Sequence, residues 1–498
     1  MRQFIQARAC TRLLLPLLLA GLAGCAVGPD FQRPDAPKAT AYEPHPRPMT
    51  GHAAQHIVEG MDIPGQWWTL FHDKQLDALI ADALAHNSDV TAAHAALRQA
   101  WENVRAQRGA YFPTVNGSVN STRQDTAADV ASGAASNASL YNLTTAQLSV
   151  SYSPDIWGGT RRQVESSVAQ AEAQRFQLEA TYLTLTSNVV NAAIGEASLR
   201  EQIDVTQRII DAQGRILETL RRQRALGDVS DGDIAVQVAA LEQSRATLPP
   251  LEKQLAQQRD LLAVLTGRRP DEPVPAVFTL ESLHLPKELP LSLPAKLVEQ
   301  RPDVRAAEEA LHGASADVGV AVAARLPDLQ ITATAGTTAE KTSQLFAGST
   351  GFWSLGAGLA QPLFDGGTLK HKQRAAEAAY DQAAAQYRGV VLAALQSVAD
   401  TLHAIRADTQ ALLAAQRAER AAASSLSILQ QQLSLGDTSQ SQVLASELLW
   451  RQALLSLAQA KATRLSDTTA LFQALGGGWW NRHDDADTAS ATTEQPHG

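Results

Sequence analysis

Apolar positions along residues 76–110 recur at steps of three, four and seven: Leu79, Ala83, Val90, Ala93 and Leu97. That spacing predicts a helix with one buried stripe, and 295–325 predicts its counterpart. Pro113 and Pro327 end these helices. The period then changes. TTAQLSVSY (144–152) alternates, with Ala146, Leu148, Val150 and Tyr152 on one face. TVNGSVNST (114–122), LQITATAGT (329–337) and WSLGAGLAQ (353–361) keep the same two-residue rhythm with smaller side chains. Four strands are expected, over 114–123, 143–153, 328–338 and 352–362. Their loops, 123–142 and 339–351, are rich in Ser, Ala, Gly and Thr.

After Pro154 or Pro362 and a glycine pair, helical composition returns over 160–226 and 368–435, with no proline in either run. At about 1.5 Å per residue each rod is roughly 100 Å long, more than a compact globular domain needs. A Leu-Gly-Asp turn ends each rod, and a shorter helix returns over 231–266 and 439–475. The returning helix and the first helix of each half together nearly equal the rod in length. The two short helices are therefore expected to stack end to end beside the long one. Pro249-Pro250 is expected to interrupt the first returning helix and to kink it there.

The two halves are one unit written twice. NSDVTAAHAALRQA (87–100) and RPDVRAAEEALHGA (301–314) match at seven of 14 positions, at an offset of 214. YFPTVNGSV (111–119) answers RLPDLQITA (325–333), SPDIWGG (153–159) answers QPLFDGG (361–367), and ALGDVS (225–230) answers SLGDTS (434–439). The same landmarks in the same order make a tandem repeat, 76–267 and 295–476. The helical hairpins of the repeats are placed at 160–266 and 368–475. The Pro-rich stretch 268–294 connects them, with a short strand expected at AVFTL (276–280). Residues 477–498 are polar toward the end and read as a disordered tail.

At the start, Arg2, Arg8 and Arg12 precede an apolar run, Leu13–Ala23, about half as long as a spanning helix requires. It reads as a cleaved signal peptide, 1–24. Leu-Ala-Gly before Cys25 resembles a bacterial lipobox, which marks Cys25 for lipidation, palmitate included. Cys10 leaves with the signal, so no disulfide can form. Ala26 rather than Asp after the cysteine suggests the outer membrane. Losing the three arginines moves the formal charge from -9 to -12, which argues against a nucleic-acid partner.

Ten-residue strands fit a tilted transmembrane span. Four strands cannot close a barrel, and open edges cannot face lipid. The chain must therefore assemble: two copies supply eight strands, three supply twelve. Tyr111, Phe112, Tyr152, Trp157, Trp353 and Phe364 fall at strand ends, where an aromatic girdle sits.

CAVGPDFQRP (25–34), WWTLF (67–71), LPAKLVEQRPDV (293–304) and QPLFDGG resemble the lipoprotein branch of the TolC-like outer-membrane factors, the NodT type. The resemblance covers the mature chain to about residue 480. It implies a mainly α fold with a transmembrane β-barrel: four strands per chain complete a trimeric twelve-stranded barrel on a long α-helical tunnel. An equatorial belt would take 25–75 and part of 268–294. The implied function is the exit duct of a tripartite efflux system, lipid-anchored in the outer membrane. It would carry small molecules from an inner-membrane pump, of the resistance–nodulation–division type, through a periplasmic adaptor. The adaptor would dock at the tips, Leu226, Gly227, Asp228, Val229 and Ser230 in one half and Leu435, Gly436, Asp437, Thr438 and Ser439 in the other. Read from the residues alone, both glycines are helix C-caps. The resemblance places a periplasmic gate at Asp233 and at its second-half counterparts Gln442 and Ala445. The two missing second-half acids weaken any acidic ring there.

No phosphate loop, metal-ligand set or catalytic triad is spaced along the chain, so no cofactor, metal or enzymatic activity is expected. His45, Met49, His52 and His56 form only a scattered group in a Pro-rich segment. The alternatives are a duct for peptide or protein secretion and a structural periplasmic coiled-coil lipoprotein. The sequence does not name the cargo.

Overall fold

A computed structural model describes residues 26–38, 41–42, 55–125 and 139–482. In chain order the strands are β1 (His56–Glu59), β2 (Thr114–Asp125), β3 (Leu140–Tyr152), β4 (Glu288–Leu291), β5 (Asp328–Ala339) and β6 (Gly351–Ala360). The helices are α1 (Lys74–His86), α2 (Ser88–Arg108), α3 (Gly159–Leu226), α4 (Asp231–Leu265), α5 (Pro294–Gln300), α6 (Pro302–Ala323), α7 (Thr368–Leu435) and α8 (Gln440–Ala474). Both rods, α3 and α7, are 68 residues long. The signal peptide, Cys25, His45, Met49, His52 and the final residues 483–498 lie outside the described residues.

Two compact units divide the chain. The first takes the residues up to 33 together with 97–174 and 307–387. Its centre is a four-stranded antiparallel sheet in the order β2-β3-β5-β6. The β3–β5 ladder joins the two repeats into one sheet, from Thr144↔Ala339 to Tyr152↔Ile331. Residues 26–33 lie against this unit's helices. The Val27 amide donates to the Trp157 carbonyl at 3.0 Å, and Arg33 pairs with Glu308 at 2.8 Å. Arg162, almost buried, reaches Asp30 on this segment and Glu165 on its own helix. Phe31 stacks on His312 with ring centroids 4.5 Å apart. The expected belt segment 25–75 is thus divided, because these contacts hold its first described residues to the strand-bearing unit.

The second unit takes 34–96, 175–306 and the residues from 388 onward. Here α4 returns along α3, burying Ile210, Leu217 and Leu241 against Ile234, Val238 and Leu248. α8 returns along α7, where the Trp450 indole donates to Glu419 at 2.9 Å. A parallel two-stranded sheet pairs β1 with β4. An aromatic core surrounds Trp67, which stacks on Phe472 with Trp68 and Phe71 edge-on.

Four local expectations are corrected. The first helix of each half is two helices, α1–α2 and α5–α6. Asn87 breaks the first pair, because its side-chain oxygen caps α2 by accepting from the Asp89 and Val90 amides at 2.8 and 3.3 Å. Arg301 breaks the second, since a residue before proline is driven out of helical conformation, and its ψ is 124°. AVFTL is no strand. Val274, Ala276, Phe278 and Leu280 are buried alternately as the pattern suggests, but no strand pairs with them among the described residues. The ladder forms instead at β4, where β1 supplies a partner. The Pro249-Pro250 pair lies inside an uninterrupted α4. Finally, the tail begins later than 477. Residues 479–481 form a helical turn, and the Trp479 indole donates to the Gln300 carbonyl at 2.7 Å. Arg482 pairs with Glu179 at 2.8 Å over the ring of Tyr182.

End-to-end stacking of the short helices is seen at the corrected joints. The Asn87 side-chain Nδ2 donates to the Leu265 carbonyl at the end of α4 (3.0 Å), and the Arg301 guanidinium donates to the Ala474 carbonyl at the end of α8 (2.9 Å). Gly267 and Gly476 follow those helix ends in left-handed conformation. A side chain on either would strike the carbonyl of His86 or Gln300. Both repeats make the same joint, with a side-chain amide as donor in the first and a guanidinium in the second.

Candidate channel wall and helix-tip site

Strand pairing fixes which side chains share a face, because the side-chain period is two. One face of the four-stranded sheet carries Val115, Val119, Ala146, Leu148, Val150, Ile331, Ala333, Trp353, Leu355 and Leu359. The other carries Asn116, Ser118, Gln147, Ser149, Thr332, Thr334 and Ser354 among its residues. Hydroxyls on this second face meet across strands, as at Thr145–Thr338 (3.0 Å) and Thr334–Ser354. Val115, Val119, Leu148, Trp353, Leu355 and Leu359 are exposed on the apolar face. A soluble sheet would cover such a face. A bilayer-spanning barrel turns it to lipid and its polar face to a wet lumen. The outer edges of β2 and β6 are unpaired among the described residues.

The tips are built as helix ends. Gly227 and Gly436 adopt φ of 85° and 81°, which L side chains rarely take. The Gly227 and Asp228 amides donate to the Arg224 and Gln223 carbonyls at 3.1 and 3.0 Å. The Gly436 and Asp437 amides donate to Leu433 and Gln432 at 3.1 and 2.9 Å. These paired bonds satisfy carbonyls that the rods leave open. Ser230 and Ser439 then cap the returning helices. Leu226 and Leu435 stand exposed at the turns, and a Cβ on either glycine would meet nothing within 4 Å. The tips therefore present apolar side chains and open backbone together.

Of the gate candidates, Asp233 is committed locally. Its carboxylate accepts from the Ser230 hydroxyl and amide at 2.7 and 2.9 Å, and those bonds hold its pKa below the ordinary value. Asp231 is likewise lowered, by its bidentate pair with Arg224 at 2.8 and 3.1 Å. Gln442 accepts from the Thr438 hydroxyl, and Ala445 is exposed. Asp233 and Gln442 are thus both tied to their tip turns.

Sequence reasoning missed one polar cluster in the α7–α8 hairpin. Arg464 is 2% exposed and donates to the Ile405 carbonyl at 3.1 Å. Burial lowers its pKa to about 10. Burial, and then the hydrogen bond and charge of Asp408, push Asp467 up to about 7. The only sequence signal is an arginine and an aspartate three apart on a helix, a pattern that an exposed face shares.

The family described as outer membrane efflux protein matches residues 79–268 and 293–477, one stretch in each repeat. The chain belongs to this family. Among relatives of this outer membrane efflux protein is the pyoverdine export outer membrane protein OpmQ of Pseudomonas aeruginosa. The two are 29% identical over 421 residues, covering 83% of this chain and 87% of OpmQ. The toluene efflux pump outer membrane protein TtgC of Pseudomonas putida is 27% identical over 495 residues, 98% of this chain and all of TtgC. The solved outer-membrane channel OprN superposes with a TM-score of 0.81 at 27% identity, over 91% of this chain and all of OprN. The fold is that of the TolC-like channels: mainly helical and internally repeated, with one four-stranded antiparallel sheet per chain. The protein is an efflux channel of the outer membrane with long periplasmic helices.

Proposed function

We propose that three copies form a passive exit duct, lipid-anchored through Cys25, which receives small-molecule cargo from an inner-membrane pump through a periplasmic adaptor. The observation that carries the reading is the two-faced sheet with unpaired edges. Its apolar face demands lipid, and its edges demand another strand, because backbone groups left unpaired in hydrocarbon each cost several kcal/mol. Three copies add their strands to a twelve-stranded wall lined by Ser, Thr, Asn and Gln. Such a lining carries no strong charge preference, which suits varied small solutes. The named cargoes of the relatives, pyoverdine and toluene, are of that size.

The tips Leu226–Ser230 and Leu435–Ser439 are the adaptor's docking points, supported by their exposed leucines and unobstructed glycines. The pump is of the resistance–nodulation–division type, as the NodT-like motifs imply. Asp233, Gln442 and Ala445, next to the tips, form the periplasmic gate. Asp233 serves there through its cap and not as a free acid. The test is a clean deletion strain scored for susceptibility across drugs, metals and organic acids, with the purified protein in planar bilayers. Raised susceptibility with ion conductance in the bilayer is the expected result. A protein that is soluble once its lipid is removed, and that does not conduct, refutes the duct.

A further inference from the structure

The internal repeat places two copies of each motif in unlike surroundings. Within the chain, the turn after β3 (SPDIWGG, 153–159) lies against the entry to β5 (RLPD, 325–328). The Trp157 indole donates to the Pro327 carbonyl at 2.8 Å, and the Ser153 hydroxyl donates to Asp328 at 2.7 Å. Ile156, Leu326 and Pro327 are half-buried in this seam. The duplicated copies of the same two motifs are the turn after β6 (QPLFDGG, 361–367) and the entry to β2 (YFPT, 111–114). They sit at opposite edges of the sheet and do not meet each other; among the described residues Gln361 reaches the β5 entry, donating to the Arg325 carbonyl at 3.1 Å. Leu363 is 96% exposed, Phe364 93% and Phe112 70%. Motifs that cover each other inside the chain are uncovered at its two edges.

We infer that Leu363 and Phe364 of one copy pack against Tyr111, Phe112 and Pro113 of a second copy, forming an aromatic clasp between chains at the place that the 153–159 and 325–328 seam holds within one. Phe364 stands where that seam has Ile156, and Asp365 stands where it has Trp157, so the clasp is apolar and carries no indole bond. The inference rests on the trimeric reading above and adds which side chains make the contact. If the free edge of β6 pairs antiparallel with β2 of the next copy, the lower end of β6 meets the upstream end of β2. The chain leaving β6 at Gln361 then runs beside the residues leading into Thr114. Exposed aromatic surface at that height has only two covers, the neighbouring chain or lipid. The seam inside the chain favours the neighbour, because there the matching stretches 153–159 and 325–328 lie against each other, with Ile156 at the position of Phe364 half-buried. In water or at an interface, an uncovered Leu-Phe pair this exposed marks a contact surface. The clasp also lies just below the ladder, where it would stop the edge strands from slipping in register.

The experiment places p-benzoylphenylalanine at Phe364, which keeps an aromatic ring, in the full chain expressed in the outer membrane. Irradiation is expected to give a trimer ladder on denaturing gels, with the adduct mapped by mass spectrometry to 111–113 of another chain. A double variant, Phe112→Cys with Phe364→Cys, is expected to give the same ladder on oxidation, while each single variant stays monomeric on the gel. Native mass spectrometry of both samples separates the two claims. A trimer whose adduct falls on lipid or elsewhere on the chain, with no disulfide ladder, overturns the clasp and leaves the trimer standing. A monomer overturns the trimeric reading and the clasp with it.

Discussion

Gly436→Trp separates a helix cap from a docking point. Gly436 has φ of 81°, and a side chain there pays about 1–2 kcal/mol for the left-handed backbone. A Cβ would meet nothing within 4 Å, so bulk adds no internal clash. Against a typical stability of about 5–15 kcal/mol, a cost of that size leaves the fold and its assembly intact. Gly436→Asn supplies the control, because asparagine tolerates the left-handed region and so keeps the turn. If an adaptor helix lies against this glycine, a buried indole costs about 1–3 kcal/mol of overpacking at each tip. At about 1.4 kcal/mol per factor of ten, each contact weakens by roughly five- to 150-fold. The assay pairs adaptor cross-linking with drug susceptibility, and native mass spectrometry confirms the trimer. The tryptophan variant is expected to lose cross-linking and resistance together, and the asparagine variant to keep most of both. Single replacements of Asp228 or Asp437 are expected to matter less, since exposed ion pairs contribute only about 0–1 kcal/mol. Full resistance and unchanged cross-linking in Gly436→Trp refute the docking role and leave the tips as caps alone.

The remaining predictions concern the rest of the chain. Asp467 has a folded pKa of about 7, above its unfolded value, so the native state holds a proton that the unfolded state releases between about pH 4 and 7. Its contribution therefore falls as pH rises through that window, and Asp467→Asn is expected to flatten the fall in a comparison of melting temperatures at pH 4.5 and 8; parallel profiles would discard the cluster. Gly28→Ala would set a Cβ 2.4 Å from the Gly319 Cα at a φ of 95°, so it is expected to displace residues 26–33 and expose them to protease while the sheet persists. Cys25→Ser is expected to abolish fatty-acid labelling and accumulate precursor; labelling that persists removes Cys25 as the anchor.

Much of this protein is written locally. The rods needed only long proline-free runs with helical composition, and the strands needed only a two-residue alternation. The tips were legible because a glycine after a leucine, followed by aspartate and a capping serine, is itself a helix end and a helix start. The repeat, the four strands and their insufficiency for a barrel followed from comparing one half with the other.

What the sequence left open depends on partners distant along the chain. AVFTL looks strand-like and ELPL, with its proline, does not, yet β1, more than two hundred residues away, pairs with the second. Gln300 and Glu179 hold Trp479 and Arg482, so residues 479–482 of the expected tail are ordered by partners no local pattern reveals. Gly28 reads as a loop glycine until Gly319 comes against it. Arg464 and Asp467 read as a surface pair until α7 brings Asp408 beside them and removes the water. Periodicity fixes which face of an element is apolar, because backbone geometry repeats every 3.6 or two residues. Which element meets that face, and how far a charge is taken from water, is set by packing between segments, and that only the tertiary structure decides.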